Sequence, residues 1–303
     1  MRVRGSSLVV AGLAAVTYSA QGQPVDPTSV LAAAREALGG ESRLGAIKTF
    51  TITGRTRQVR GNNLVPIEFE INCELPAKFV RRDEIPAQDT DPTTLGFNGD
   101  TLIQFPPPPP GTGPGRAGSP PGPPAGRAAP PGDAGREGGP PSGDAGRGGG
   151  PAPARGRGGN PPLSPAQQRL ATVKQDFVRL TLGMFATSFP SYPLTFKYAG
   201  LGEAPEGQAD VLDVSGPANF SARFVIQKAT HLPVMLMWQG PPARGQTQPA
   251  DYRLYYGDFR EVDGMKWPFR IKRAIAGETI EETTIDRFRV NPKIDPKKFE
   301  APK

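Results

Sequence analysis

The residues able to do chemistry are few and badly placed for it. His231 is the single histidine of a 303-residue chain and sits in a turn-like stretch before Leu232-Pro233, without triad or metal partners around it. Cys73 is the single cysteine, so there is neither an intrachain disulfide nor a C-x-x-C device. Glu281 and Glu282 adjoin in a strand-like run and point to opposite faces, which argues against an acid/base pair. Asp89-x-Asp91 opens like a calcium loop, yet the glycine and the closing glutamate are missing. Gly113-Pro-Gly-Arg-Ala-Gly118 spells G-x-G-x-x-G with no strand before it and no helix after it, which is not a dinucleotide site. Catalysis by a lone carboxylate stays open. The expected reading is non-enzymatic, with no catalytic residue, no metal and no cofactor.

Rings and thioethers offer binding chemistry instead. Phe196, Tyr198, Met235, Met237, Tyr252, Tyr256, Trp267 and Phe269 all fall on strand-like segments, while Phe177 and Met184 belong to one long helix. Taken singly, each reads as core or as half of a cross-strand pair. Together they read as the lining of an apolar cleft, because the run Tyr252 to Phe259 carries rings on both faces, which a sheet with one solvated face does not need. Methionines would let such a cleft adapt to flexible ligands. These ten are the candidate ligand-binding residues.

The elements that must position them follow from hydrophobic periodicity. Asp26-Pro27 caps a short helix with an apolar stripe at Val30, Leu31, Ala34 and Leu38, stopped by Gly39-Gly40. Ile67, Phe69, Ile71, Cys73 and Leu75 alternate with Glu68, Glu70, Asn72 and Glu74, predicting a half-buried antiparallel strand with its thiol in the core. Asn98-Gly99 and Asp263-Gly264 read as tight hairpin turns. Ser164-Pro-Ala-Gln167 is a capping box that opens a helix over Pro165 to Ala186, with Leu170, Val173, Phe177, Leu180 and Met184 on its apolar stripe. Ten or eleven strands and two or three helices are expected, nearly all strand connections being hairpins. That pattern is α+β: a strongly curved antiparallel sheet, an incomplete β-barrel, with helices covering its concave face.

Composition is informative only once it is located. The net charge of +7 and the quarter of the chain that is glycine or proline suggest low complexity and an anionic partner. Residues 106–162 alone hold 18 Gly, 18 Pro and six Arg against three acids, with no apolar side chain larger than Ala. Such a tract buries too little to offset its ordering entropy and is expected to be disordered. Arg2 and Arg4 precede an apolar run from Leu8 to Ala20, too short for a span and typical of a cleaved export signal over residues 1–22. Outside these two segments 28 basic residues face 26 acidic ones, so the folded body is nearly neutral. Residues 23–105 and 163–303 are then two parts of one domain. The arginine-glycine runs at Arg147 and Arg155 lack interleaved aromatics and conflict with export, which excludes nucleic acid as the partner.

Several motifs resemble one family. The helix segment Ala34-Arg-Glu-Ala-Leu-Gly-Gly40, the strand segment Thr53-Gly54, the run Asp258-Phe-Arg-Glu-Val-Asp-Gly-Met-Lys-Trp-Pro268 and the tail Val290-Asn-Pro-Lys-Ile-Asp-Pro-Lys-Lys-Phe299 are similar to the periplasmic lipoprotein-sorting (LolA/LolB-like carrier) superfamily. The resemblance covers both ordered parts, about 220 residues. It implies an incomplete barrel, plugged by helices, whose hydrophobic cavity takes acyl chains. The proline-rich interruption has no counterpart in the carrier pattern, and no lipid-gating residue carries over. The expectation is a monomeric periplasmic protein without a lipid anchor that binds a lipid, acyl chain or lipidated protein, with transient contact to membrane surface or envelope proteins. The alternative is a cell-envelope interaction or sensor module, its barrel a packed scaffold and its arginine-bearing insertion contacting polyanions.

Overall fold

A computed structural model describes residues 25–107 and 163–301, apart from 62, 87, 89, 205 and 244. The expected export signal, Asp89 and nearly all of the proline-rich tract lie outside the described residues.

The first helix, α1 (Pro27–Leu38), begins where its sequence says it should: Asp26 Oδ1 accepts the Thr28 N–H at 3.0 Å and Pro27 fills the first turn. It buries Val30, Leu31, Ala34 and Leu38 and stops at Gly39. After the one-turn α2 (Glu41–Gly45) come five strands, β1 (Thr49–Arg60), β2 (Asn63–Glu74), β3 (Lys78–Glu84), β4 (Thr93–Asn98) and β5 (Thr101–Phe105). The long helix α3 (Pro165–Phe185) is opened by the full Ser164/Gln167 capping box and ends at Ala186, whose φ is 46°. Seven strands complete the described chain: β6 (Thr195–Ala204), β7 (Gly207–Gly216), β8 (Phe220–Gln227), β9 (Pro233–Gly240), β10 (Ala250–Val262), β11 (Met265–Ile275) and β12 (Glu278–Val290). A 3-10 turn over Pro296–Phe299 follows, burying Phe299.

All twelve strands form one antiparallel sheet in the order β5-β4-β3-β2-β1-β12-β11-β10-β9-β8-β7-β6. The expected ten or eleven strands become twelve, joined by hairpins except where β1 meets β12. β5 and β6 are free edges, so the barrel is not closed. Its curvature is visible in α3. Lys174 Nζ reaches Asp100 in the β4–β5 turn at 2.7 Å, while its neighbour Gln175 donates to the Ala218 carbonyl between β7 and β8 at 3.0 Å. On a flat sheet those turns would lie on the order of 40 Å apart at 4.7–4.9 Å per strand. The sheet therefore wraps around α3, and the α+β half-barrel read from the pattern is the fold.

The wrapping explains the core. Period-two alternation sends Phe50 and Ile52 of β1, Phe69, Ile71 and Cys73 of β2, and Trp267 and Phe269 of β11 to the concave side, where α3 presents Phe177, Leu182, Met184 and Phe185. Burying each of these large side chains contributes about 1.5–3 kcal/mol. Cys73 is fully buried, and burial pushes its thiol well above the ordinary cysteine value, so it packs as a small hydrophobe. Asp263 and Gly264 both have positive φ, 54° and 73°, in the two-residue turn read from the sequence. The Asn98-Gly99 turn is shifted by one residue: Asn98 pairs with Thr101, and the loop is Gly99-Asp100.

Candidate functional site

Register divides the candidate cleft residues between two faces. Strand partners directly opposite share a face. Tyr198 pairs with Leu212, Leu212 with Phe224, Phe224 with Leu236, and Leu236 with Leu254, all on the concave side. Phe196 and Tyr252 lie on the same side, two residues nearer the open rim. Tyr256, Trp267 and Phe269 also face inward and belong to the main core, as do Phe177 and Met184 of α3. Met235 and Met237 do not. Met235 pairs with Tyr255 and Val225 on the outer face, where both methionines join Ala209 and Val225 in a separate small cluster. They were expected beside the rings; parity along β9 turns them away and places Leu236 and Trp238 inward. The second ring-bearing face of β10 has the same origin, because Tyr255 packs into that outer cluster.

Depth then separates the eight inward residues. Phe177, Met184, Tyr256, Trp267 and Phe269 are buried, whereas Phe196, Tyr198 and Tyr252 are half-buried. Trp238, a strand-borne ring outside the ten candidates, completes the half-buried set and stacks on Tyr252 with centroids 5.5 Å apart. Alternation along β9 was the signal that could have found it. The buried rings interlock: Trp267 stacks on Phe288 at 4.1 Å and meets Phe185 edge-on at 5.4 Å, and Phe177 touches Phe79 and Phe97 at 5.4 Å each. The half-buried strip runs along β6, β9 and β10 near the rim.

Where α3 crosses this strip it is pressed against β10. A Cβ built on Gly183 would meet the Tyr256 ring at 2.3 Å, so only glycine lets helix backbone and ring approach this closely. The Tyr256 hydroxyl donates to the Arg179 carbonyl on α3, and burial holds its phenol far above the ordinary tyrosine value. Tyr198 is raised to about 12 by burial, and then by its hydrogen bond (2.9 Å) and proximity to Asp210. Tyr192, also raised to about 12 by burial, donates to the Pro217 carbonyl at 2.7 Å.

Three arginines sit under or beside the helix on the concave side. Arg81 of β3 is fully engaged: Nε donates to Asp83 at 2.7 Å, Nη2 to Thr56 at 3.3 Å, and its guanidinium lies 4.8 Å from the Phe69 ring. Arg179 of α3 is 8% exposed; Nη1 donates to Asp176 at 2.8 Å and Nη2 to Gln175 at 3.1 Å, and the group lies 4.4 Å from the Trp238 ring. Burial lowers its proton affinity, partly offset by Asp176, and Arg273 lowers it further. Nε of Arg179 and Nε of Arg273 are both buried without a hydrogen-bond partner. Sequence reasoning missed both. The available signal was that residues 180–189 carry no charge, so a helix buried nearly all round begins at Arg179.

A groove of about 490 Å³ on the outer face is lined by Thr51, Glu70, Asn72, Arg287 and Lys298, among others. One of its lysines is paired, Lys298 Nζ lying 2.9 Å from both Glu70 oxygens. His231 is an exposed turn residue with φ of 56°. Among the described residues, no group of three or more His, Cys, Asp or Glu could hold a metal ion, and no helix is long and apolar enough to cross a membrane.

No family model and no curated protein matches the chain. Among solved structures it is similar to a LolA superfamily protein from Nitrosomonas europaea, at 11% identity and a TM-score of 0.48, over 91% of this chain and 97% of that one. It is also similar to an outer membrane lipoprotein-sorting protein domain from Vibrio parahaemolyticus, at 8% identity and a TM-score of 0.45, over 90% and 97% of the two chains. A DUF1329 family protein from Desulfovibrio piger matches at 9% identity and a TM-score of 0.43, over 91% and 98%.

Proposed function

We propose that the chain is a non-enzymatic periplasmic protein that holds a hydrophobic ligand, a lipid, acyl chain or lipidated protein, on the concave face of its half-barrel. The observation that carries this reading is the half-buried strip of Phe196, Tyr198, Trp238 and Tyr252. Phe196 and Tyr198 on the edge strand β6 and the Trp238–Tyr252 stack on β9 and β10, with β7 and β8 between them, stay half-buried at the margin of the core, and apolar surface left open there favours an apolar occupant. Phe177, Met184, Tyr256, Trp267 and Phe269 form the floor on which the strip rests. Met235 and Met237, on the outer face, take no part. Residues 1–22 direct export.

Native mass spectrometry of protein purified from a periplasm tests this directly. Retained lipid, together with saturable uptake of a fluorescent fatty acid, is the expected result. Protein that is consistently empty and takes up no fatty acid would overturn the reading and leave the barrel as a packed scaffold.

A further inference from the structure

The half-buried rings account for an apolar ligand, but not for the two arginines beside them. Arg81 shows how this fold normally buries a guanidinium: carboxylate, hydroxyl and ring all engage it. Arg179 is deeper still, and although Asp176, Gln175 and the Trp238 ring engage it, its Nε has no partner; Arg273 Nε is orphaned in the same way. Leaving a buried donor unsatisfied costs the full desolvation of that group, so native structures rarely tolerate two together. Arg273 lies opposite Leu254, one inward position from Tyr256, whose hydroxyl donates to the Arg179 carbonyl, so the two like charges share one corner of the concave face and Arg273 weakens the hold of Arg179 on its proton.

The acidic groups nearby do not resolve this. Asp176 already holds Arg179 Nη1. Glu281 is the direct cross-strand neighbour of Arg273, yet no ion pair within 4.0 Å joins them among the described residues. Asp83 belongs to Arg81. One oxyanion would satisfy both open Nε donors and relieve the repulsion. Trp238, which lies 4.4 Å from the Arg179 guanidinium, puts that position at the end of the aromatic strip.

We infer that Arg179 and Arg273 bind the anionic head, a carboxylate or phosphate, of an amphiphile whose chain lies along Phe196, Tyr198, Trp238 and Tyr252. This rests on the hydrophobic-ligand reading above and names the ligand class: anionic single- or double-chain lipids in preference to neutral ones.

The test uses the full chain loaded with Nile red, an uncharged fluorescent probe, and displaces it with oleate, oleyl alcohol or inorganic phosphate. Oleate is expected to displace the probe about tenfold more effectively than oleyl alcohol, in line with hydrogen bonds to charged groups. Phosphate alone is expected to displace nothing. In Arg273→Met the preference falls to within about twofold while the alcohol still competes, and Arg273→Lys retains most of it. The ligand-free Arg273→Met protein melts no lower than the parent, because it loses an unpaired buried charge. Equal affinity for acid and alcohol in the parent overturns the inference and leaves the hydrophobic-ligand reading standing. So does an undiminished preference in Arg273→Met, and so does a lower melting point in that variant. Displacement by phosphate as effective as by oleate would mean a free-anion site and would also overturn it. If the alcohol and oleate both fail to compete, the hydrophobic-ligand reading falls as well.

Discussion

On the β1, β11 and β12 side of the concave face, Phe288 stacks on both Phe50 and Trp267, Phe185 of α3 packs against the latter two, and all four rings are buried. On the β6, β9 and β10 side, rings of the same kinds are stacked only once, Trp238 on Tyr252, and remain partly open. The sheet is continuous across both. What differs is the helix. Phe185 of α3 closes over the first region, while α3 presents Gly183 to Tyr256 and Arg179 to Trp238 in the second. Similar strand chemistry thus becomes a closed floor or a half-open surface according to what one helix offers it.

Truncation should separate the two regions sharply. Trp267→Ala empties a fully buried, interlocked position and is expected to cost about 3–5 kcal/mol in urea denaturation. Trp238→Ala, half-buried, is expected to cost about 1–2 kcal/mol while abolishing fatty-acid uptake. Similar losses at both positions would erase the distinction. Next in size is Gly183→Ala, which drives a methyl into the Tyr256 ring and should cost about 1–3 kcal/mol by overpacking. Adding Tyr256→Leu should recover much of that loss in a double-mutant cycle, since the pair is in direct contact.

Ser164→Ala removes the capping oxygen of α3 and should cost about 1 kcal/mol. Amide exchange is expected to quicken in the first turns of the helix and to stay unchanged in β1 and β12. The smallest effect is alkaline. The Tyr198 phenol is raised to about 12 by burial and by Asp210, so the fold favours its neutral form. That contribution is complete below the ordinary tyrosine value of about 10 and is lost as pH rises from there toward 12. Denaturation midpoints of Tyr198→Phe should therefore fall less steeply than the parent's across that window.

Much of the fold was legible because most strands alternate with a period of two and α1 and α3 carry their own caps. Cys73 lands in the core through that alternation, and α3 starts at the residue its capping box names. The same rule, applied from β8 through β10, would have set Met235 and Met237 apart from Trp238; reading the aromatic and methionine content as one pool hid the parity. The Arg179–Arg273 juxtaposition was not legible. It depends on the curvature that brings α3 over β11, and curvature is a property of the whole sheet that no local spacing records.

The two tryptophans of the chain, Trp238 in the open region and Trp267 in the packed one, make the central claim directly measurable. Titrating a brominated fatty acid into the parent protein and into Trp238→Phe and Trp267→Phe separates their emission. Saturable quenching of Trp238, with Trp267 left bright, is the result this account predicts. No saturable quenching, or quenching confined to Trp267, would contradict it.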